Sequence, residues 1–175
     1  MIGFFHWLLL FALLHLLLQD WRKSLPVSLL AWIPWEPHFI GIMHGALGEL
    51  SVGTILVSLL IFVPQPLKET PGIRINSAII VIAGTLVYGD YLRFLPGSSF
   101  HLYEAGFHQI WLILLVGLFA IFALFRGWLW TCLWISLALL GWNLSLLESQ
   151  NLWDYLIDAP LWILSIIFLL RSFRS

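Results

Sequence analysis

Long apolar segments separated by short polar breaks account for most of this 175-residue chain. A helix that crosses the hydrocarbon core of a bilayer needs about 20 mostly apolar residues. Six segments meet or approach this length, and the breaks between them carry charge, proline or glycine. The segments are residues 2–18, 38–63, 75–92, 104–125, 128–147 and 157–171. We therefore predict an all-α fold, a polytopic transmembrane helix bundle of about six spans, with five as the lower count. It would form a single integral membrane domain over residues 1–175.

The composition agrees with a bilayer as the surroundings of the chain. Hydrophobic residues make up 61% of it and charged residues 10%, whereas soluble domains carry roughly 25% charged residues. The eight Lys/Arg and nine Asp/Glu residues are too few to cover the surface of a soluble fold of this size. There is no basic run that would bind nucleic acid, so we expect the lipid bilayer and other membrane subunits as partners.

The segment after the first span, residues 24–37, is rich in proline and tryptophan. Pro26, Pro34 and Pro37 would interrupt a long helix, and tryptophan is common at the boundary between membrane and water. We predict a short interfacial or re-entrant segment here.

The distribution of Lys and Arg favours both termini in the cytoplasm. With six spans, five basic residues fall on the inner side and three on the outer side. We expect an integral protein of the bacterial inner membrane.

Polar residues gather on one face of the predicted bundle, because consecutive spans run in opposite directions. This face would hold Glu36, His38, His44, Glu49, Tyr88, Asp90, Arg93, His101, Glu104, His108, Asn143, Glu148, Asp154 and Asp158. In one continuous helix, Glu49 would lie some 16 Å below the surface at 1.5 Å per residue. Ionisable side chains at such depth are costly and usually face the bundle interior or water.

A metal site is one interpretation of these residues. His101, Glu104 and His108 are spaced to share one face of a helix, and imidazole and carboxylate ligands suit zinc, iron and copper. His44, Glu49 and Asp90 are the candidates to complete the ligand shell from other helices. The alternative is structural, with His101 at the interface, Glu104 in a first helical turn and His108 hydrogen-bonded in the core.

A haem or another tetrapyrrole is the second form of this hypothesis. His44 and His108 would ligate it from different helices, with Arg93 and Tyr88 near the propionates. Small residues around His44, Gly41 and Gly48, leave space beside the ring, although such residues equally favour close packing between helices. The first functional prediction is thus a cofactor- or metal-binding membrane subunit active in redox chemistry or electron transfer.

Two other functions remain open from the sequence. The same polar residues would serve a small transporter or channel as an ion or proton path, or form the interface of an accessory subunit in a larger complex. No motif of a nucleophilic hydrolase is present, and the single Cys132 forms no internal disulfide. Whether the protein is an enzyme is left open.

Overall fold

The computed structural model describes residues 2–30, 39–59, 71–92 and 101–173, and within them all regular structure is helical. The helices are α1 (Ile2–Leu18), α2 (Trp21–Leu29), α3 (Phe39–Leu47), α4 (Val52–Leu59), α5 (Pro71–Tyr91), α6 (Ala105–His108), α7 (Ile110–Phe125), α8 (Leu129–Asn143), α9 (Leu152–Leu156) and α10 (Ala159–Ser172). The all-α prediction is confirmed for this part of the chain.

Helix lengths bear on the predicted spans. Within the described residues, the stretch Gly72–Tyr91 of α5 is the one that is long and apolar enough to cross a membrane by length and composition. Apolar helices of 10 to 17 residues lie within α1, α7, α8 and α10. The segments 2–18, 75–92, 128–147 and 157–171 thus each contain one helix, while the number of crossings stays a prediction.

The described part of the segment 38–63 is not one continuous helix, whereas its crossing of the membrane stays a prediction. Gly48 has φ +68°, a left-handed conformation that ends α3, and its N–H donates to the carbonyl of His44 at 2.8 Å. The chain resumes as α4 at Val52. Residues 60–63 lie outside the described part.

The segment 104–125 is also interrupted. Gln109 is extended (φ −82°, ψ 108°) and separates the four-residue α6 from α7. Gly106 of α6 lies so close to Asn151 and Trp153 that a Cβ atom there would overlap both side chains. The position of α6 is therefore set by its contact with the segment around α9.

Helix α2 places its small polar side chains inward. Ser24 and Ser28 are fully buried, and their hydroxyls donate to the carbonyls of Asp20 (2.7 Å) and Leu25 (2.8 Å). The exposed side chains of α2 include the basic Arg22 and Lys23 and the apolar Trp21, Val27 and Leu29. Of the predicted interfacial segment, residues 24–30 thus belong to or directly follow a helix, and residues 31–37 lie outside the described part.

The core lies where α8 and α9 meet α5, α7 and α10. Its buried members include Ile80, Val87, Leu112, Trp134, Ile135, Ala138, Leu152, Tyr155 and Leu161. The most extensive packing is between α5 and α10 and between α7 and α8. The indole N–H of Trp134 donates to the carbonyl of Leu156 at 3.0 Å, which fixes α9 across the end of α8.

One end of the bundle, here called the network end, is where α5 and α8 finish and α4, α7 and α10 begin. Helix α1 begins there too, because the ring Nε2 of His6 lies 2.9 Å from the carbonyl oxygen of Gly48 and α1 packs alongside α4. The first turn of α1 and the last turn of α10 therefore lie at opposite ends of the bundle. The side of the membrane on which each terminus lies stays a prediction.

Candidate functional site

The network end holds a set of hydrogen-bonded polar residues, here called the polar network. Its members are Glu49, Ser51, Thr54, Asp90, Tyr103, Glu148, Ser149, Asn151, Asp154 and Asp158. The bonds connect four parts of the chain: the α3–α4 junction, the end of α5, the turn before α6 and the segment between α8 and α10. Of the residues predicted to share one face, the structure brings Glu49, Asp90, Glu148, Asp154 and Asp158 together.

Asp158 is the most buried carboxylate of the polar network, with 8% of its surface exposed. One oxygen accepts from the N–H of Ser51 at 2.7 Å. The other accepts from the N–H of Leu161 at 2.9 Å and from the hydroxyl of Thr54. Asp158 therefore caps α10 and also binds the first turn of α4, where the helix dipole favours a negative charge.

Asp154 is held by side-chain hydroxyls. Its Oδ2 accepts from Ser149 Oγ at 2.5 Å and from the hydroxyl of Tyr103 at 3.4 Å. Burial raises the pKa of Asp154 above its ordinary value, the two hydroxyls oppose this shift, and the nearby charge of Asp158 adds to it. Burial also raises the pKa of Tyr103 to about 12, with the charge of Asp154 adding to the shift, so this phenol keeps its proton at neutral pH.

Glu49 and Asp90 bind backbone groups of neighbouring loops. Glu49 accepts from the N–H of Glu148 at 2.5 Å, and Asp90 accepts from the N–H of Tyr103 at 3.0 Å. Glu49 thus lies level with the loop after α8 and not about 16 Å below the surface, so its predicted depth is wrong. The break at Gly48 accounts for the difference.

Asn151 connects the turn before α6 to α9. Its side chain is fully buried, donates from Nδ2 to the carbonyl of Tyr103 at 3.0 Å, and accepts from the N–H of Trp153 at 3.0 Å. Both ends of the amide therefore have partners. Its role is to position the loops that carry Tyr103 and Asp154.

A cavity of about 70 Å³, here called the central cavity, lies between α4, α5, α8 and α10. Its lining is mostly apolar and includes Leu56, Ile80 and Trp134, and its polar side chains are those of Asn76, Ser77 and Ser165. Asn76 is held in place by the hydroxyl of Thr131, which donates to its Oδ1 at 2.6 Å. Because one buried water needs roughly 10–15 Å³ on this measure, the central cavity has room for a few water molecules.

His44, the residue common to both cofactor hypotheses, lies against His6 of α1. The ring centroids are 5.1 Å apart at an interplanar angle of 83°. The Nδ1 of His44 is buried and has no hydrogen-bond partner among the described residues. Helix α3 packs against α1, whereas α6, which ends at His108, packs against α9. The side chain of His108 is outside the described part, and the pairing with His44 stays a prediction.

The predicted His101–Glu104–His108 stripe does not lie on one helix. His101 and Glu104 are exposed and precede α6 in a turn, which corrects the assumption of a continuous helix from residue 104. Tyr88 packs against Trp162 with 5.6 Å between ring centroids, and Arg93 falls outside the described residues. In the described ranges no three His, Cys, Asp or Glu side chains form a group that could hold a metal ion. The metal and haem assignments stay predictions.

The capping role of Asp158 was not predicted from the sequence. The signal was the Asp-Ala-Pro sequence at residues 158–160, because Asp is favoured at the N-cap and proline in the first turn of a helix. Asp158 also accepts from the N–H of Ser51, which is 107 positions away in the chain. No local sequence pattern indicates this bond.

Comparison with known proteins found no match to any family model, curated protein or solved structure.

Proposed function

We propose that the protein is a polytopic membrane protein that conducts protons, with Asp158 as the residue that binds the proton. The observation that carries this proposal is the position of Asp158. It is a buried carboxylate between the starts of α4 and α10, and Leu161, whose N–H donates to it, lines the central cavity.

The distribution of side chains supports a membrane as the surroundings. Large apolar side chains dominate the exposed surface of α7, including Leu114, Leu115, Leu118 and Phe125. The buried polar side chains are Ser24, Ser28, Ser51, Thr54, Ser58, Ser77, Thr131, Asn151, Asp158 and Ser165, together with His6. Apolar atoms on the outside and hydroxyl groups on the inside are the arrangement expected in lipid, where polar groups must face the bundle interior.

The central cavity supports a path for protons and not for a larger solute. Its volume of about 70 Å³ is far below the roughly 300–1,000 Å³ of sites for organic ligands. Gly53 and Leu161 on its wall are one residue from Thr54 and three from Asp158, respectively. Asn76 and Ser77 supply polar groups to this mostly apolar lining from the first half of α5, away from the network end.

The proposed mechanism uses the hydrogen bonds of Asp158. The ionised carboxylate accepts from Ser51, Thr54 and Leu161 and thereby holds the starts of α4 and α10 together. A proton on one oxygen removes the charge and turns an acceptor into a donor, which weakens the cap on one of the two helices. The proton then passes to water in the central cavity as the helix start moves back.

Proton flux into proteoliposomes tests the proposal. Purified protein is reconstituted with a pH-sensitive dye inside the vesicles, and a potassium diffusion potential drives proton entry. We expect the wild type to acidify the lumen faster than protein-free vesicles, and Asp158→Asn to fall to their level. Glu148→Gln is the matched control, because Glu148 contributes only its backbone N–H to the polar network and its side chain is exposed, so the flux should be unchanged.

Two results of this measurement would overturn the proposal. One is a wild-type flux equal to that of protein-free vesicles. The other is an Asp158→Asn variant that elutes as a folded protein in gel filtration and conducts like the wild type.

A haem or metal site at His44 is the second candidate function, and the unpartnered Nδ1 of His44 beside His6 favours it. The prediction is an absorption band of a tetrapyrrole, or bound iron, copper or zinc, in protein purified from its native membrane. His44→Ala should remove that signal. A spectrum without such a band, together with a metal analysis below stoichiometric amounts, would exclude this candidate.

A further inference from the structure

A second and larger cavity, here called the lateral groove, lies between α5 and α7 above a floor formed by α8 and α9. Its volume is about 570 Å³, and its walls include Ala83, Leu115, Val116, Phe122, Ile135 and Trp153. This volume falls within the roughly 300–1,000 Å³ found for ligand sites. The lateral groove shares the wall residue Trp134 with the central cavity, and none of its lining residues belongs to the polar network.

The lining of the lateral groove offers no free side-chain hydrogen-bonding group. Its only side-chain N–H groups among the described lining residues are the indoles of Trp134 and Trp153. Trp134 donates to the carbonyl of Leu156 at 3.0 Å, and Trp153 donates to that of Leu102 at 2.8 Å. A ligand with polar atoms would lose its hydrogen bonds to water without replacement. The occupant must therefore be a hydrocarbon over the length of the groove.

Exposure increases from the floor of the groove to its rim. Ile135 and Leu156 on the floor are buried, whereas Leu115 and Leu118 on the rim are 60% and 65% exposed. The groove therefore opens sideways, between two helices with apolar outer surfaces. An occupant would enter from the hydrocarbon that surrounds the bundle and not from water.

The length of the groove fits one lipid chain in one leaflet. On α7 the lining runs from Leu115 to Phe122, about 10 Å along the helix axis at 1.5 Å per residue. The hydrocarbon of one leaflet is about 15 Å thick, half of the bilayer core. Trp153 and Ile157 line the groove directly before Asp154 and Asp158 in the chain, so the head group would lie level with the network end.

We propose that the lateral groove binds one acyl chain of a membrane phospholipid and retains it more tightly than the surrounding bilayer. This proposal rests on the membrane location stated above but not on proton conduction. Its test measures bound lipid and no flux, so the two proposals can fail independently.

Native mass spectrometry after release from nanodiscs made of one synthetic diacyl phosphatidylcholine tests the proposal. We expect the wild type to keep a single lipid under conditions that strip annular lipid. Val116→Trp fills the groove from α7 and should abolish the adduct. Leu114→Trp, on the same helix but outside the groove lining, is the matched control and should keep it.

A second variant keeps the test possible if the first does not fold. Ala83→Phe fills the groove from α5, and either groove variant that elutes as a folded protein in gel filtration is sufficient for the test. Lipid retention equal to the wild type in such a variant would overturn the proposal, as would a wild type without bound lipid. Stoichiometric recovery of an isoprenoid compound instead of phospholipid from protein purified out of cell membranes would also overturn it.

Discussion

Close contact at Gly106 makes this residue sensitive to the smallest substitution. A methyl group there would overlap the side chains of Asn151 and Trp153, which are both buried and hydrogen-bonded. We expect Gly106→Ala to reduce the free energy of unfolding by about 1–3 kcal/mol, the usual cost of overpacking. Chemical denaturation of the purified protein in detergent micelles measures this change.

Gly117→Ala provides the control for this prediction. Gly117 lies within α7, and no described atom would lie within 4 Å of the added methyl group. Alanine favours a helix over glycine by up to about 1 kcal/mol, so this variant should be neutral or more stable. Equal effects of the two substitutions would contradict the contact seen at Gly106.

The raised pKa of Asp154 predicts how stability changes with pH. Burial favours the protonated form in the folded state. The contribution of this group is therefore complete below its ordinary pKa of 3.8 and is lost as the pH rises through the higher folded value. We expect Asp154→Asn, which resembles the protonated form, to show a smaller decrease in Tm between pH 4 and pH 8 than the wild type. Parallel Tm profiles for the two proteins would argue against this role.

Local sequence predicts part of the polar network and no more. The cap of α10 follows from Asp158 and Pro160, and the cap of α9 from Asn151, because both caps use residues within the next three positions. The bonds of Asp158 to Ser51 and of Asp90 to Tyr103 depend on how separate segments meet in space. The types and spacing of residues within one segment do not indicate such contacts.

At the scale of helices, hydrophobicity located the apolar segments but missed their interruptions. The described part of the segment 38–63 is mostly apolar and has His44 and Glu49 as its only ionisable residues, yet it breaks at Gly48. Mean hydropathy measures the preference of side chains for lipid and does not indicate the backbone φ of a residue such as Gly48. The break in 104–125 has the same origin, since Gln109 interrupts the helix without any proline nearby.

The break between α3 and α4 should depend on Gly48. Its φ of +68° is unfavourable for residues with a Cβ atom, by roughly 1–2 kcal/mol. We expect Gly48→Ala to lower the free energy of unfolding by about this amount, measured by denaturation in micelles. Gly45→Ala, three residues earlier inside α3 with no described atom near its added methyl, should not lower it. A stabilised Gly48→Ala variant would indicate a continuous helix across this junction.

For the whole molecule, composition predicted the helical class, and alternation of the segments placed most carboxylates at one end. Counting apolar segments did not predict the break at Gly48, where α3 ends and α4 begins close to His6. The predicted arrangement of the termini depends on that count and stays a prediction.

The topology gives a prediction for the protein in its membrane. We expect residues next to the start of α1 and residues after α10 to be on opposite sides, because these helices both begin at the network end. Reporter fusions at the two positions, one active only outside the cytoplasm and one only inside, measure this in cells. Two fusions active on the same side would support the even number of spans counted from the sequence.

The bond between Asp158 and the start of α4 has a consequence for biogenesis. A ribosome that has just completed α4 must add about a hundred further residues before Asp158 exists, at roughly 5–20 residues per second. During that interval the amide of Ser51 lacks its final acceptor, and the α3–α4 junction stays open to proteolysis. We therefore expect chains truncated before α10 to be degraded by quality-control proteases faster than chains that include it, so that synthesis of α10 sets the lifetime of the newly made protein.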